Sequence, residues 1–149
     1  MTRTLPTRLL TMAAAALMAQ GALAAVKCEA NLDGTSEMKY SSSEIKIPAS
    51  CMDFTIKFTN KSKNNTQYNV VIANKENVGG ISKDGMLAGA KFGFIKEADS
   101  RVIAHSSLVG PGEKTEVTFP VSRINATSVF FSSFPGQGEI VQGNLVIIK

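Results

Sequence analysis

Phe54-Thr55-Ile56-Lys57-Phe58-Thr59 alternates apolar and polar side chains without a break. That two-residue period belongs to a strand with one face in a core and the other in water. Thr115-Glu116-Val117-Thr118-Phe119 repeats the pattern, and Pro120, which has no N–H to give to a ladder, closes it. Tyr68 to Ile72 and Leu145 to Ile148 are short β-branched or aromatic runs with few polar breaks, which predicts strands buried on both faces. Ile45-Lys46-Ile47 and Ser128 to Phe131 add two further strands. Turn-rich stretches separate these runs: Asn60 to Thr66, Val109-Gly110-Pro111-Gly112 and Phe134-Pro135-Gly136-Gln137-Gly138. Short strands at this spacing predict an all-β sandwich. Asn74 to Leu87 fits less well. Its apolar spacing is loose, and Gly79-Gly80 would each cost a helix about 1 kcal/mol, so its pattern reads as a loop.

The chain has 149 residues, 44% of them hydrophobic and 19% charged, which suffices for one compact core and is not the composition of a disordered chain. Sixteen Lys and Arg stand against 12 Asp and Glu, for a formal charge of +4. Two of the bases, Arg3 and Arg8, precede an apolar, Ala-rich run, Leu9-Leu10 and then Met12 to Met18, and Ala22-Leu23-Ala24 follows it. A positive start, a short apolar stretch and a small-residue exit predict a secretory signal peptide over residues 1–24, cleaved after Ala24. The alternative, a membrane anchor, is interrupted at Gln20-Gly21 and falls short of the ~20 apolar residues that a span needs. The mature domain, residues 25–149, then carries about +2, too mild and too interspersed for a nucleic-acid protein. No second segment is apolar enough to span a bilayer, so a soluble periplasmic or secreted bacterial protein is expected.

Cys28 and Cys51 are the only cysteines, and in an oxidising compartment an even pair predicts a disulfide. The alternative, a pair of metal thiolates, is poorly supported by a chain with one His. Lys61, Lys63 and Asn64-Asn65 read as a solvated loop, and Met38, Met52 and Met86 as fillers of core gaps.

Several of these residues carry a resemblance. Asp99-Ser100-Arg101-Val102-Ile103-Ala104-His105, then Gly112-Glu113-Lys114 and Val117-Thr118-Phe119, resemble the azurins, small periplasmic blue-copper proteins of the cupredoxin family. Cys28 and Cys51 stand at that family's disulfide positions, and Phe130-Phe131-Ser132-Ser133-Phe134-Pro135-Gly136 is similar to its ligand-bearing loop. Asp84-Gly85-Met86 matches the segment where azurins carry a helix. The resemblance implies an eight-stranded Greek-key β-sandwich, cupredoxin-like, with a short helical insertion outside it over part of Asn74–Leu87.

The same resemblance removes the chemistry. A blue-copper site needs a cysteine thiolate, two imidazoles and a weak axial ligand. The positions that match those ligands hold Tyr68, Ser132, Gln137 and Val141. A serine hydroxyl offers no soft anion near neutral pH, and a phenol and an amide bind copper far less well than imidazole. Tyr68 and Gln137 are instead expected to hydrogen-bond to one another or to Ser132. Asn69 and Ser133 match the pair with which azurins tie their two ligand loops together.

The function expected is a copper-free, azurin-like binding module with no cofactor and an unknown protein partner. Its interaction face would comprise Phe134, Pro135, Gly136, Glu139 and Ile140, with Val141 beside them. The alternative is a periplasmic electron-transfer protein with a rebuilt, non-blue copper site using Tyr68, Gln137 and an outside group. Metal binding through His105, the single imidazole, would be adventitious. No nucleophile–histidine constellation suggests an enzyme, and Glu113 and Glu116 read as solvated strand residues.

Overall fold

The structure, a computed structural model, describes residues 25–149; the segment read as a signal peptide lies outside the described residues. Eight strands form two sheets: β1 (Glu29–Gly34), β2 (Glu44–Pro48), β3 (Asp53–Asn60), β4 (Val71–Asn74), β5 (Ala104–His105), β6 (Lys114–Pro120), β7 (Ser128–Phe131) and β8 (Gln142–Ile148). One sheet runs β1-β3-β6 and the other β2-β8-β7-β4-β5. β1 pairs parallel with β3, and β2 parallel with β8; the other pairings are antiparallel. This is the predicted sandwich. The alternation that begins at Phe54 sends Phe54, Ile56 and Phe58 into the core, where Leu32, Val117 and Phe119 from the same sheet meet Ile45, Ile47, Ile72, Phe130 and Leu145 from the other.

Two strands are absent from the sequence reading. β1 (EANLDG) offers one large apolar residue, Leu32, and β5 has only two residues. Both are held by pairing with a neighbour, which a period in the chain itself does not reveal. Tyr68 also lies outside β4; it makes an isolated bridge to Val109, and the strand starts at Val71.

Val78–Ala88 is an α-helix, α1, where the pattern alone read a loop. Val78 and Ile81 pack on Val71, Ala73, Val129 and Phe131, the outward faces of β4 and β7. Burying two such side chains contributes roughly 1.5–3 kcal/mol each, enough to offset the glycines. The glycines also permit close approach. A Cβ on Gly80 would meet Arg101 Nη1, and one on Gly85 would run into the Phe94 carbonyl oxygen. Arg101 lies across the helix and joins Asp84 at 2.6 Å and Asp99 at 2.8 Å. Its hydrogen bonds and charge hold the Asp99 carboxyl below the usual carboxylate range. Gly85→Ala is therefore expected to cost about 2 kcal/mol, despite the better helix propensity of alanine, because the obstacle is backbone. Chemical denaturation checks this; an unchanged midpoint would refute it.

The helix also explains which strands are buried twice. β4 and β7 lie beneath it, and all four β7 residues are buried. β8, predicted to be buried on both faces, is not: Ile147 and Ile148 are 41% and 39% exposed because α1 covers only β4 and β7. The methionines read as core fillers are likewise outside, with Met52 86% and Met86 55% exposed. The loop with Lys61, Lys63, Asn64 and Asn65 is exposed as expected, apart from Ser62, which is buried against Asn60.

Candidate functional site at one end of the sandwich

The registers Val71↔Phe131 and Phe131↔Gln142 bring the start of β4, the end of β7 and the start of β8 to one end of the larger sheet. The segments leading into and out of them, Gln67–Val70 and Ser132–Val141, therefore lie together. Every group expected to matter at this end is placed there by the sheet, and Tyr68, Asn69, Ser132, Ser133, Gln137 and Val141 are each at most 1% exposed.

Asn69 organises the site. Its Nδ2 donates to Ser133 Oγ at 2.7 Å and to the Gly93 carbonyl at 3.1 Å, and its Oδ1 accepts from Ser133 N at 2.8 Å. Its own carbonyl accepts from Tyr40 Oη at 2.6 Å. One amide thus joins the segment before β4, the loop after β7 and the segment after α1. Phe94 adds an edge-on contact with Phe134, ring centres 5.4 Å apart.

The other three side chains, of Tyr68, Ser132 and Gln137, are not hydrogen-bonded to one another. The Tyr68 ring lies in the core beside Tyr40 and Phe58, and its hydroxyl donates to the Thr35 carbonyl. Burial raises the Tyr68 phenol above its ordinary pKa, and raises Tyr40 further, with Tyr68 nearby adding to the effect. Gln137 Nε2 donates to the Gln67 carbonyl at 2.9 Å, while its Oε1 has no hydrogen-bond partner. Ser132 Oγ accepts from Asn69 N at 3.4 Å. The bonds expected among Tyr68, Gln137 and Ser132 are therefore not made. Main-chain carbonyls lie closer to Tyr68 and Gln137, and the tyrosine ring is drawn into the aromatic core. The loop closes on itself through Gln137 N to Phe134 O, Val141 N to Gln137 O and Ser132 N to Val141 O, at 2.7–3.0 Å.

At the surface of this end Ile140 is 64% exposed, Gly136 and Glu139 are exposed, and Phe134 and Pro135 are half-buried. Val141, expected beside them, is fully buried: its N–H and C=O belong to the closed loop. Phe134, Ile140, Met86, Lys83, Ser82 and Gly79 line a groove of about 370 Å3 between the loop and α1. His105 is exposed on β5, with Nδ1 2.9 Å from the Ser106 carbonyl oxygen. Among the described residues, no three His, Cys, Asp or Glu side chains are grouped as metal ligands.

A family model for copper-binding proteins of the plastocyanin/azurin family matches residues 26–148. The chain belongs to that family. An azurin of Pseudomonas chlororaphis is 39% identical over 126 residues, covering 81% of this chain and 98% of that protein. The azurin of Pseudomonas aeruginosa is 35% identical over 130 residues, covering 84% and 88%. Among solved structures, an azurin (Az-iso2) from Methylomonas sp. strain J superposes with a TM-score of 0.78 at 35% identity, covering 83% of this chain and the whole of that one. These likenesses agree with the Greek-key sandwich, the outlying helix and the Cys28–Cys51 disulfide, whose Cα atoms are 5.7 Å apart. Among the described residues no helix is long and apolar enough to cross a membrane.

Sequence reasoning missed several participants in this family member's site. Tyr40, Thr35, Gln67 and Gly93 reach it through one hydroxyl and three carbonyl oxygens. Main-chain acceptors leave no residue-type signal, so only the fold reveals them.

Proposed function

We propose that this member of the plastocyanin/azurin family is a copper-free binding protein, exported to the periplasm or medium. It would act on a protein partner through the face formed by Phe134, Pro135, Gly136, Glu139 and Ile140. The observation that carries the reading is the donor set at the matching ligand positions. Ser132 supplies a neutral hydroxyl, Val141 supplies none, and Gln137 has committed its amide nitrogen to Gln67. Tyr68 has its hydroxyl engaged with Thr35 and its phenol made harder to ionise by burial. Blue copper requires a thiolate and imidazoles, and these residues do not fit it. The rebuilt-site alternative needs Tyr68 and Gln137 to face one metal, yet the Tyr68 hydroxyl is turned to Thr35 and Gln137 offers only a neutral amide oxygen. Electron transfer and catalysis are absent from this reading; the loop tie, by contrast, is intact, which supports a surface held in a fixed shape. Metal at His105 would be adventitious.

Copper(II) titration of the purified domain should give no intense visible band and little change in melting temperature, since folding rests on the core and disulfide. A stoichiometric complex that survives dialysis and is lost in Tyr68→Phe or Gln137→Ala would refute the proposal. The face is tested separately. Ile140→Glu should abolish capture of the partner obtained from the native periplasm while changing stability by less than about 0.5 kcal/mol, the usual range for a surface substitution. Undiminished capture would move the interface elsewhere.

A further inference from the structure

Gln137 is fully buried, its Nε2 donates to Gln67 O, and its Oε1 has no protein donor. An orphaned buried acceptor costs about 1–3 kcal/mol. Rotating the amide does not help, because it would set Oε1 against the Gln67 carbonyl, acceptor against acceptor. Ser132, also fully buried, has the complementary surplus. Its Oγ accepts from Asn69 N, and among the described residues its O–H donates to no acceptor. The two side chains are not bonded to each other, yet both are anchored to one short main-chain stretch, Gln137 at Gln67 O and Ser132 at Asn69 N. A step of two residues spans at most roughly 7 Å. The loop bonds Val141 N to Gln137 O and Ser132 N to Val141 O hold the other side.

We infer that Gln137 Oε1 and Ser132 Oγ share one buried structural water, which donates to the amide oxygen and accepts from the hydroxyl. Buried waters typically satisfy such otherwise unpaired groups, with two to four polar partners. A cation is disfavoured at the same point. Among the described residues no cluster of His, Cys, Asp or Glu side chains stands there to hold one, and a buried charge without a counter-charge is costly. The inference rests on the copper-free reading above and gives that region a neutral occupant.

Crystals of the mature domain, soaked in copper(II) and measured at the copper edge, test it. One peak within about 2.7–3.2 Å of both Gln137 Oε1 and Ser132 Oγ, with no anomalous signal, is expected. An anomalous peak there would overturn this inference and the copper-free reading together. An absent peak, with Oε1 satisfied by a protein donor, would overturn the water alone. In solution, oxygen-17 relaxation dispersion should count one fewer long-lived water in Gln137→Leu than in the parent. Should that variant fail to fold, Ser132→Ala, which removes a single hydroxyl, should show the same loss. An unchanged count would overturn the inference.

Discussion

Asn69→Leu is expected to lower stability by about 3 kcal/mol and to release the loop after β7 from the segment before β4. Leucine keeps the branching and number of heavy atoms but removes three hydrogen bonds, to Ser133 Oγ, from Ser133 N and to Gly93 O. Ser133 is 1% exposed, so its N–H is left buried without a partner, and each orphan of this kind costs about 1–3 kcal/mol. Amide hydrogen exchange gives the local readout: protection of the Ser133 N–H should collapse toward that of an open loop while the core strands keep theirs. Asn69→Asp, which keeps the acceptor for Ser133 N and loses the donors, should fall between. Full Ser133 protection in Asn69→Leu would show that the loop shapes itself without the tie.

The second large effect is global. Replacing Cys28 and Cys51 together by Ala should cost about 3 kcal/mol, as expected for a cross-link closing a loop of 23 residues. The denaturant slope should rise, because the unfolded chain would then expose more surface. The disulfide stands before the starts of β1 and β3, whereas Thr35 and Asn60, near the far ends of those strands, reach the Tyr68 end of the molecule. Under conditions where the variant is folded, Ser133 protection should therefore be unchanged. Since the two sites share no partners, their costs should add. A Cys28/Cys51 variant as stable as the parent would remove the cross-link from the account of the fold.

The legibility of the sequence varied with the kind of interaction. β3 and β6 were readable because each buries one face, which writes a two-residue period into the chain. The disulfide was readable because only two cysteines exist. The helix was not legible in the residue pattern, only in the resemblance to azurins: its apolar residues matter only against Val71, Ala73, Val129 and Phe131, and its glycines answer to Arg101 and Phe94. The placement of Met52 and Met86 at the surface was equally hidden, since an isolated methionine has no period.

At the site, the resemblance to azurins is what set Tyr68, Ser132, Gln137 and Val141 against ligand positions; the chemistry of those four side chains does not depend on where they point. The direction of each side chain was a tertiary matter. Tyr68 turned toward Thr35 instead of Gln137, Gln137 toward a carbonyl at Gln67, and Val141 inward instead of onto the face. Alternation and composition thus determined β3, β6 and the cross-link, all properties of single residues or of near neighbours in the chain. Tertiary structure decided the helix, the closed loop and the orphaned amide oxygen, because each depends on which carbonyls and rings distant segments bring within reach.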